Sequence, residues 1–217
     1  MEINNLKELS VVLPLYNEEG NISVLYMALL EELNKITTDF EIIFVDDGSK
    51  DSSLEKIKEI AEKDERVLGI SLSRNFGHQI ALVAGLEHAN GEYVVMMDAD
   101  MQHPPEVIVQ LYAKAKEGFD IVNTIRDDIK GESTSKKMSS KWFYRLTNKL
   151  TDVEIHKASA DFRLMNRKTV DAFLQMKEKD RFTRGLISWM GYKQAFVHFV
   201  PSQRHSGISK YSYRNMI

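Results

Sequence analysis

The sequence contains no cysteine, so neither a disulfide framework nor a zinc–thiolate site can form. It also has no apolar run near the length of about 20 residues that a membrane-spanning helix needs. The N-terminal segment is polar and acidic, unlike the basic and then apolar start of a secretory signal. We therefore expect the chain as given to be soluble, and the lack of cysteine fits a reducing compartment.

Neither sign of charge is in large excess, and the formal net charge of -3 argues against a nucleic-acid-binding protein. The chain has no Walker-type Gly-x-x-x-x-Gly-Lys-Ser/Thr motif and no Gly-x-Gly-x-x-Gly after its first apolar run, which excludes the commonest ATPase and dinucleotide-binding sites. No Ser/His/Asp or Cys/His arrangement is present. The six histidines are scattered, and we expect structural roles for them.

Short apolar runs alternate with amphipathic segments from the start of the chain to Thr124. This alternation predicts an α/β fold with a mainly parallel twisted sheet and helices on both faces. The 217 residues suit a single such domain. Strands are predicted at Leu9–Leu13, Phe40–Val45, Val67–Leu72, Tyr93–Met97 and Asp120–Thr124, and helices at Asn21–Ile36, 52–63 (with a capping box of Ser52 and Glu55), Gln79–His88 and Glu106–Lys116.

A polar motif follows each of the first four predicted strands, at residues 14–18, 46–49, 74–77 and 98–102. In parallel sheets of this kind, ligands bind outside the carboxyl ends of the strands. The spacing therefore predicts one composite site at that edge.

The motif after the fourth strand places oxygen-bearing side chains at alternate positions, in Asp98, Asp100 and Gln102. Oxygen ligands of this kind suit Mg²⁺ or Mn²⁺. The alternative is a polar loop whose acids cap the next helix, which Pro104 and Pro105 open.

Beyond Thr124 the alternation ends and basic clusters appear. Arginine forks hold phosphates well, although ordinary salt bridges are the alternative. The segment Lys136–Leu150 is predicted to be a basic helix with aromatic residues, either docked on the core or lying on an anionic membrane surface. Further elements are predicted as helices at Arg167–Met176 and after the segment Arg181–Leu186, and as a strand at Gln194–Val200.

Metal-binding carboxylates surrounded by arginines imply a phosphorylated substrate whose developing charge needs neutralising. Asp46 and Asp47 follow the second strand, where an acid can accept hydrogen bonds from a ribose or a base. A simple turn containing aspartate and glycine is the alternative.

In this order, the motifs resemble those of family 2 inverting glycosyltransferases with a GT-A fold. The later motifs resemble the branch that acts on polyprenyl phosphates, which includes dolichyl-phosphate mannosyltransferases and bactoprenol (undecaprenyl-phosphate) glucosyltransferases. The resemblance covers nearly the whole chain. The early motifs are residues 12–18, 45–49 and 98–105, and the later ones are residues 74–77, 161–164, 181–185 and 204–211.

The resemblance implies a UDP- or GDP-hexose donor, a polyprenyl phosphate acceptor, Mg²⁺ or Mn²⁺, and action at the cytoplasmic face of a membrane. The chain would bind there peripherally or through membrane helices absent from this sequence, and a homo-oligomer is left open. The residues that match the family motifs fall into four groups. They are Asp161, Asp100 and Arg163 for catalysis; Pro14, Tyr16, Glu18, Asp46, Asp47, Asp98 and Ala99 for the nucleotide sugar; Asp98, Asp100 and Gln102 for the metal; and Arg126, Arg181, Arg184, Arg204, Ser209 and Lys210 for phosphates and acceptor.

Three other functions stay open at this point. A family 2 enzyme can transfer to a sugar hydroxyl during polysaccharide synthesis. A phosphatase can use an aspartate such as Asp98 as nucleophile, although its aspartates would be expected after the first strand. A nucleotide-sugar-binding module without turnover is the third, and the presence of acids in every motif argues against it.

Overall fold

The structure is a computed structural model that describes residues 6–127, 159–176, 178 and 183–202. Within these residues, strands alternate with helices as far as β5, after which β6 and β7 complete the sheet. The strands are β1 (Lys7–Leu15), β2 (Phe40–Asp46), β3 (Val67–Ser71), β4 (Gly91–Met96), β5 (Ile121–Arg126), β6 (Ser159–Asn166) and β7 (Gln194–Phe199). The helices are α1 (Ile22–Leu33), α2 (Ser53–Ala61), α3 (His78–His88), α4 (Val107–Lys116), α5 (Arg167–Leu174) and α6 (Thr183–Trp189).

One sheet joins all of these strands in the order β3-β2-β1-β4-β6-β5-β7. Every neighbouring pair is parallel except the two pairs that involve β6, which runs antiparallel to both β4 and β5. The central strands β1 and β2 are nearly continuous apolar runs because both of their faces are covered. The predicted mainly parallel α/β sheet is confirmed.

The core lies in two layers, one on each face of the sheet. Along β1, Val11 and Leu13 pack toward α1, α2 and α4, whereas Val12 packs toward α3, α5 and α6. This alternation follows from the two-residue period of a strand. Gly85 lets α3 approach closely, since an added Cβ there would lie 2.3 Å from a methyl carbon of Val12. Helices on both faces are thereby confirmed.

The strand β6 was not predicted from the sequence. It contains a bulge opposite β5: Asn123 pairs with Arg163 and Ile125 with Ser159. One residue of β5, Thr124, therefore lies opposite three residues of β6, numbered 160–162. The hydroxyl of Thr124 donates to the carbonyl oxygen of Phe162 at 2.7 Å and fixes the bulge. Bulges of this kind redirect side chains beside active sites.

The capping box predicted for α2 is wrong. The side chain of Ser52 makes no capping hydrogen bond. Asp51 takes that role, because its Oδ1 accepts the N–H of Ser53 at 3.0 Å and the hydroxyl of Ser53 at 2.6 Å. An acidic side chain in that place also interacts favourably with the helix dipole.

Several predictions fall outside the described residues, among them the basic aromatic helix at Lys136–Leu150. The same holds for four predicted phosphate-binding residues, Arg181, Arg204, Ser209 and Lys210, and for the side chain of Arg184 within α6. Within the part of the chain that is described, no helix is both long enough and apolar enough to cross a membrane. The assignment of the whole chain to a single catalytic domain stays a prediction.

Candidate active site at the carboxyl edge of the sheet

The loop after β4, residues 98–103, is called here the DxD loop, and it closes on the buried side chain of His103. This imidazole is 7% exposed. It stacks on Phe162 of β6 with a centroid distance of 4.9 Å and meets the edge of Phe199 of β7 at 5.8 Å. Its Nδ1 accepts the backbone N–H of Asp98 at 3.0 Å. The aromatic contacts and this hydrogen bond hold the first residue of the loop against β6 and β7.

Four charged residues of the predicted site affect the pKa of His103. Burial lowers the pKa of this imidazole, while the charges of Asp98, Asp100 and Asp161 raise it and that of Arg126 lowers it further. Because burial is the largest effect, the ring is neutral at pH 7. The acids of the DxD loop thus lie beside the bulge of β6. The carboxyl-edge rule predicted the position of the loop after β4 but not that of Asp161, because β6 was not predicted as a strand.

The second half of the DxD loop is held by its own backbone. Met101 has a positive φ of 65°, and the N–H of Gln102 donates to Oδ1 of Asp100 at 3.0 Å. Nη1 of Arg126 lies 3.5 Å from Oε1 of Gln102. One polar cluster therefore contains the carboxylate of Asp100, the amide of Gln102 and the guanidinium of Arg126 at the end of β5.

These residues fit a divalent cation that is shared with a phosphorylated substrate. No three His, Cys, Asp or Glu side chains in the described ranges are grouped so that they could hold a metal by themselves. Mg²⁺ commonly binds one or two carboxylates and takes its other ligands from substrate phosphates and water. The side chain of Asp98 is 37% exposed, so it is accessible to such a complex. The oxygen-only donor set of Asp98, Asp100 and Gln102 fits this kind of ion.

The loops after β1 and β2 are cross-linked by side chains. Asn17 has a positive φ of 52°, its N–H donates to Oγ of Ser49 at 2.8 Å, and its Oδ1 accepts the N–H of Lys50 at 2.7 Å. The N–H of Glu18 donates to Oγ of Ser53 at 2.9 Å. These bonds fix the loop that carries the predicted nucleotide-binding residues Tyr16 and Glu18.

The two aspartates at the carboxyl end of β2 are buried and accept hydrogen bonds from backbone amides. Oδ1 of Asp46 accepts the N–H of Ser49 at 3.1 Å. The carboxylate of Asp47 accepts the N–H of Phe76 at 2.7 Å and that of Gly77 at 2.9 Å, and so fixes the start of α3. Both acids therefore shape the loops of the site, and their contact with a nucleotide stays a prediction.

The other two residues predicted to contact the nucleotide sugar lie beside these loops. Pro14 pairs with Val45 between β1 and β2. Ala99 is buried in the DxD loop. Both belong to the carboxyl edge, as the sequence analysis placed them.

Gly48, in the loop after β2, lies so close to the loop after β3 that a side chain would not fit there. Its φ is +68°, and an added Cβ would lie 2.5 Å from the carbonyl carbon of Arg74 and 2.8 Å from the nitrogen of Asn75. We expect Gly48→Ala to lower the free energy of unfolding by about 3 kcal/mol, the sum of left-handed strain and a backbone clash. Urea unfolding measures the loss.

Gly118→Ala is the matched control for this substitution. Gly118 has a φ of +90°, and nothing lies within 4 Å of an added Cβ. It should show only the conformational penalty, about 1 kcal/mol. Equal losses in the two variants would mean that the contact between the loops is not tight.

His78 also belongs to the site, although the scattered histidines were predicted to have structural roles. Its Nε2 lies 2.8 Å from Oδ1 of Asp98. With His103, it makes two histidines in contact with the first aspartate of the DxD loop. The positions of the two histidines in the sequence could have predicted that they belong to the site. His103 lies in the DxD loop, and His78 directly follows the polar motif after the third strand.

Comparison with known proteins identifies relatives of the whole described fold. The sequence model of the family described as glycosyl transferase family 2 matches residues 10–174. The glycosyltransferase YkcC of Bacillus subtilis is 45% identical over 208 residues, which cover 96% of this chain and 64% of YkcC. The bactoprenol glucosyl transferase of Shigella phage SfV is 38% identical over 205 residues, 94% of this chain and 67% of that protein. The chain thus spans roughly two thirds of the length of these relatives.

Solved structures show the same fold at low sequence identity. A mannosyltransferase from Pyrobaculum calidifontis, solved with GDP-Man and Mn²⁺, gives a TM-score of 0.63 at 20% identity over 92% of this chain and 57% of that one. TarS 1-349 of S. aureus, solved with UDP-GlcNAc, gives 0.62 at 19% identity over 94% of this chain and 62% of that one. The sheet described above is therefore a GT-A fold.

Proposed function

Since this chain belongs to the family 2 glycosyltransferases, we propose that it transfers a hexose, with inversion, from a nucleotide-diphosphate sugar to a polyprenyl phosphate. The observation that carries the proposal is the geometry of the DxD loop at the carboxyl edge of the sheet. There His103 holds Asp98 and stacks on Phe162, the neighbour of Asp161, and Arg126 lies beside Gln102. The acceptor is supported by the bactoprenol glucosyl transferase of phage SfV, whose similarity extends over 94% of this chain.

The donor binds across the loops after β1, β2 and β4. The cross-linked loops present Tyr16 and Glu18 beside the buried pair Asp46 and Asp47, which leaves a rigid polar surface for a nucleotide. Solved relatives contain GDP-Man or UDP-GlcNAc, which supports a nucleotide-sugar donor of this class.

A divalent cation would be held by Asp98, Asp100 and Gln102 together with the donor diphosphate. When bound, such an ion offsets the charge that develops on the leaving diphosphate. The protein groups around it hold this arrangement in place: Asp100 is fixed by the N–H of Gln102, and Arg126 adds a positive charge beside the amide. Pre-positioned groups of this kind stabilise developing charge without reorganising during the reaction.

The acceptor phosphate approaches from the side of β6 and α6. Asp161 and Arg163 lie on β6, and Arg184 lies on α6 with Arg181 before it in sequence. Arginines hold a phosphate through paired N–H groups. A lipid acceptor places this side of the protein at a membrane surface, where the basic segment 136–150 supports contact with anionic lipid. We place the enzyme at the cytoplasmic face of the membrane.

A panel of labelled nucleotide sugars tests the proposal. The protein is incubated with UDP- and GDP-hexoses and Mn²⁺, together with undecaprenyl phosphate in anionic vesicles and a water-soluble glycan. The label that enters the lipid phase and the label that enters the glycan are then counted. We expect transfer from one donor, with a rate that falls as salt screens the contact with the vesicles. Label that enters only a water-soluble glycan acceptor would replace this function with transfer to a sugar hydroxyl.

A further inference from the structure

A hydrogen-bonded series of side chains connects the DxD loop to the start of α6. His78 Nε2 lies 2.8 Å from Asp98 Oδ1, and His78 Nδ1 lies 3.4 Å from Nε2 of Gln79. The hydroxyl of Thr183, the first residue of α6, donates to Oε1 of Gln79. These side chains come from the loop after β4 and from the first residues of α3 and α6, and we call the series the relay.

All donors in the relay point the same way. The Thr183 hydroxyl donates to the carbonyl of the Gln79 side chain, and the Gln79 amide donates to Nδ1 of His78. At the other end of the series, Nε2 of His78 lies 2.8 Å from Oδ1 of Asp98. Hydrogen bonds in series polarise one another, so the removal of one member weakens the others.

The relay is held in place where α3 begins, and its two ends differ in their exposure to solvent. The carboxylate of Asp47 holds the N–H groups of Phe76 and Gly77, and so sets where α3 begins. Thr183 is 1% exposed. The side chains of His78 and Asp98 are 38% and 37% exposed. The relay thus extends from the protein interior to the open surface where ligands bind.

We infer that His78 and Gln79 are positioning residues that hold the acceptor side of the site in register with the metal-binding aspartates. The inference rests on the proposed function, because that function assigns the acceptor to the side of β6 and α6, and α6 begins at Thr183. One set of hydrogen bonds then keeps the acceptor side, at the start of α6, in a fixed position relative to Asp98.

Removing the hydroxyl at the α6 end tests the inference. In the transfer assay, Thr183→Val should raise the KM for the lipid acceptor about tenfold, equivalent to about 1.4 kcal/mol, and change the donor KM by less than about twofold. Thr183→Ser, which keeps the hydroxyl, should restore the wild-type values. Gln79→Leu should give the same rise in the KM for the lipid acceptor. The double variant of Thr183→Val and Gln79→Leu should raise this KM no further than either single variant, because each substitution breaks the same series.

Thr169→Val is the matched control. Thr169 is also fully buried, and its hydroxyl donates to the carbonyl of Asn166 at 2.8 Å where α5 begins. This control should lower stability and leave both KM values unchanged. An unchanged acceptor KM in Thr183→Val, a failed rescue by serine, or additive effects in the double variant would overturn the inference.

Hydrogen exchange separates this inference from the proposed function. If the wild type transfers no sugar to any acceptor, the proposed function is wrong. Even then, the hydrogen exchange of backbone amides can be measured before and after the addition of Mn²⁺ with UDP or GDP. These should slow the exchange of α6 amides in the wild type but not in Gln79→Leu. The same response in both proteins, or none in the wild type, overturns the relay.

Discussion

Replacing Asp100 by asparagine is expected to lower transfer by at least about a thousandfold, because the substitution removes a charged ligand of the proposed metal site. The fold should tolerate the change. Oδ1 of asparagine can still accept the N–H of Gln102, which now donates to Asp100 at 3.0 Å. The free energy of unfolding should therefore stay within about 0.5 kcal/mol of the wild type. Steady-state transfer and urea unfolding of the same preparation measure the two quantities.

Asp39→Asn is the control for a lost carboxylate elsewhere. Asp39 is an exposed acid just before β2, at the amino edge of the sheet, where it pairs with Lys7. It should leave transfer unchanged. EDTA should abolish wild-type activity, and added Mn²⁺ should restore it. Full activity in EDTA, or in Asp100→Asn, would exclude the metal site.

The local sequence pattern was sufficient to predict most of the fold. The runs that became β1, β2 and β4 are apolar on both faces, so their burial in a parallel sheet follows from composition alone. Their polar motifs then had to meet at the carboxyl edge. Asp98 and Asp100 were predictable in this way, because the position of a residue after a buried strand determines which edge it occupies.

Other parts depend on pairings between distant segments, which local pattern does not contain. The strand β6 carries two charged residues, Asp161 and Arg163, and therefore lacks the apolar run of the other central strands. Its place between β4 and β5 comes from antiparallel pairing with both. The place of His78 in the site was not predicted for a similar reason. Its contact with Asp98 depends on where α3 begins, and Asp47 sets that start from another loop.

The last prediction concerns Asp161, the residue that the family resemblance makes the candidate general base. Inversion at the anomeric carbon is a single in-line displacement, so a hydroxyl acceptor would need a base to remove its proton. A phosphate monoester differs, because its second pKa is about 6 and it is mostly a dianion at pH 7. Such an acceptor mainly needs to be held in place.

The structure supports an orienting role for Asp161. It lies in the bulge of β6, between the residues paired with Asn123 and Ile125 of β5. Its Oδ1 lies 3.4 Å from Nη2 of Arg163, whose side chain is 2% exposed. A buried guanidinium needs a nearby negative charge, and the pair is held by the strand on which both residues lie. We therefore expect Asp161 to orient Arg163 and, through it, the reacting groups.

The pH dependence of transfer distinguishes an orienting residue from a base. With a polyprenyl phosphate acceptor, Asp161→Asn should slow transfer by about tenfold to a hundredfold and keep the acidic limb of the wild-type profile, since that limb is set by the phosphate near pH 6. Because asparagine retains Oδ1 for Arg163, the loss should come from charge and not from a collapsed bulge, and an unchanged urea midpoint checks this. An acidic limb that moves or vanishes in the variant would contradict this expectation and make Asp161 a true base.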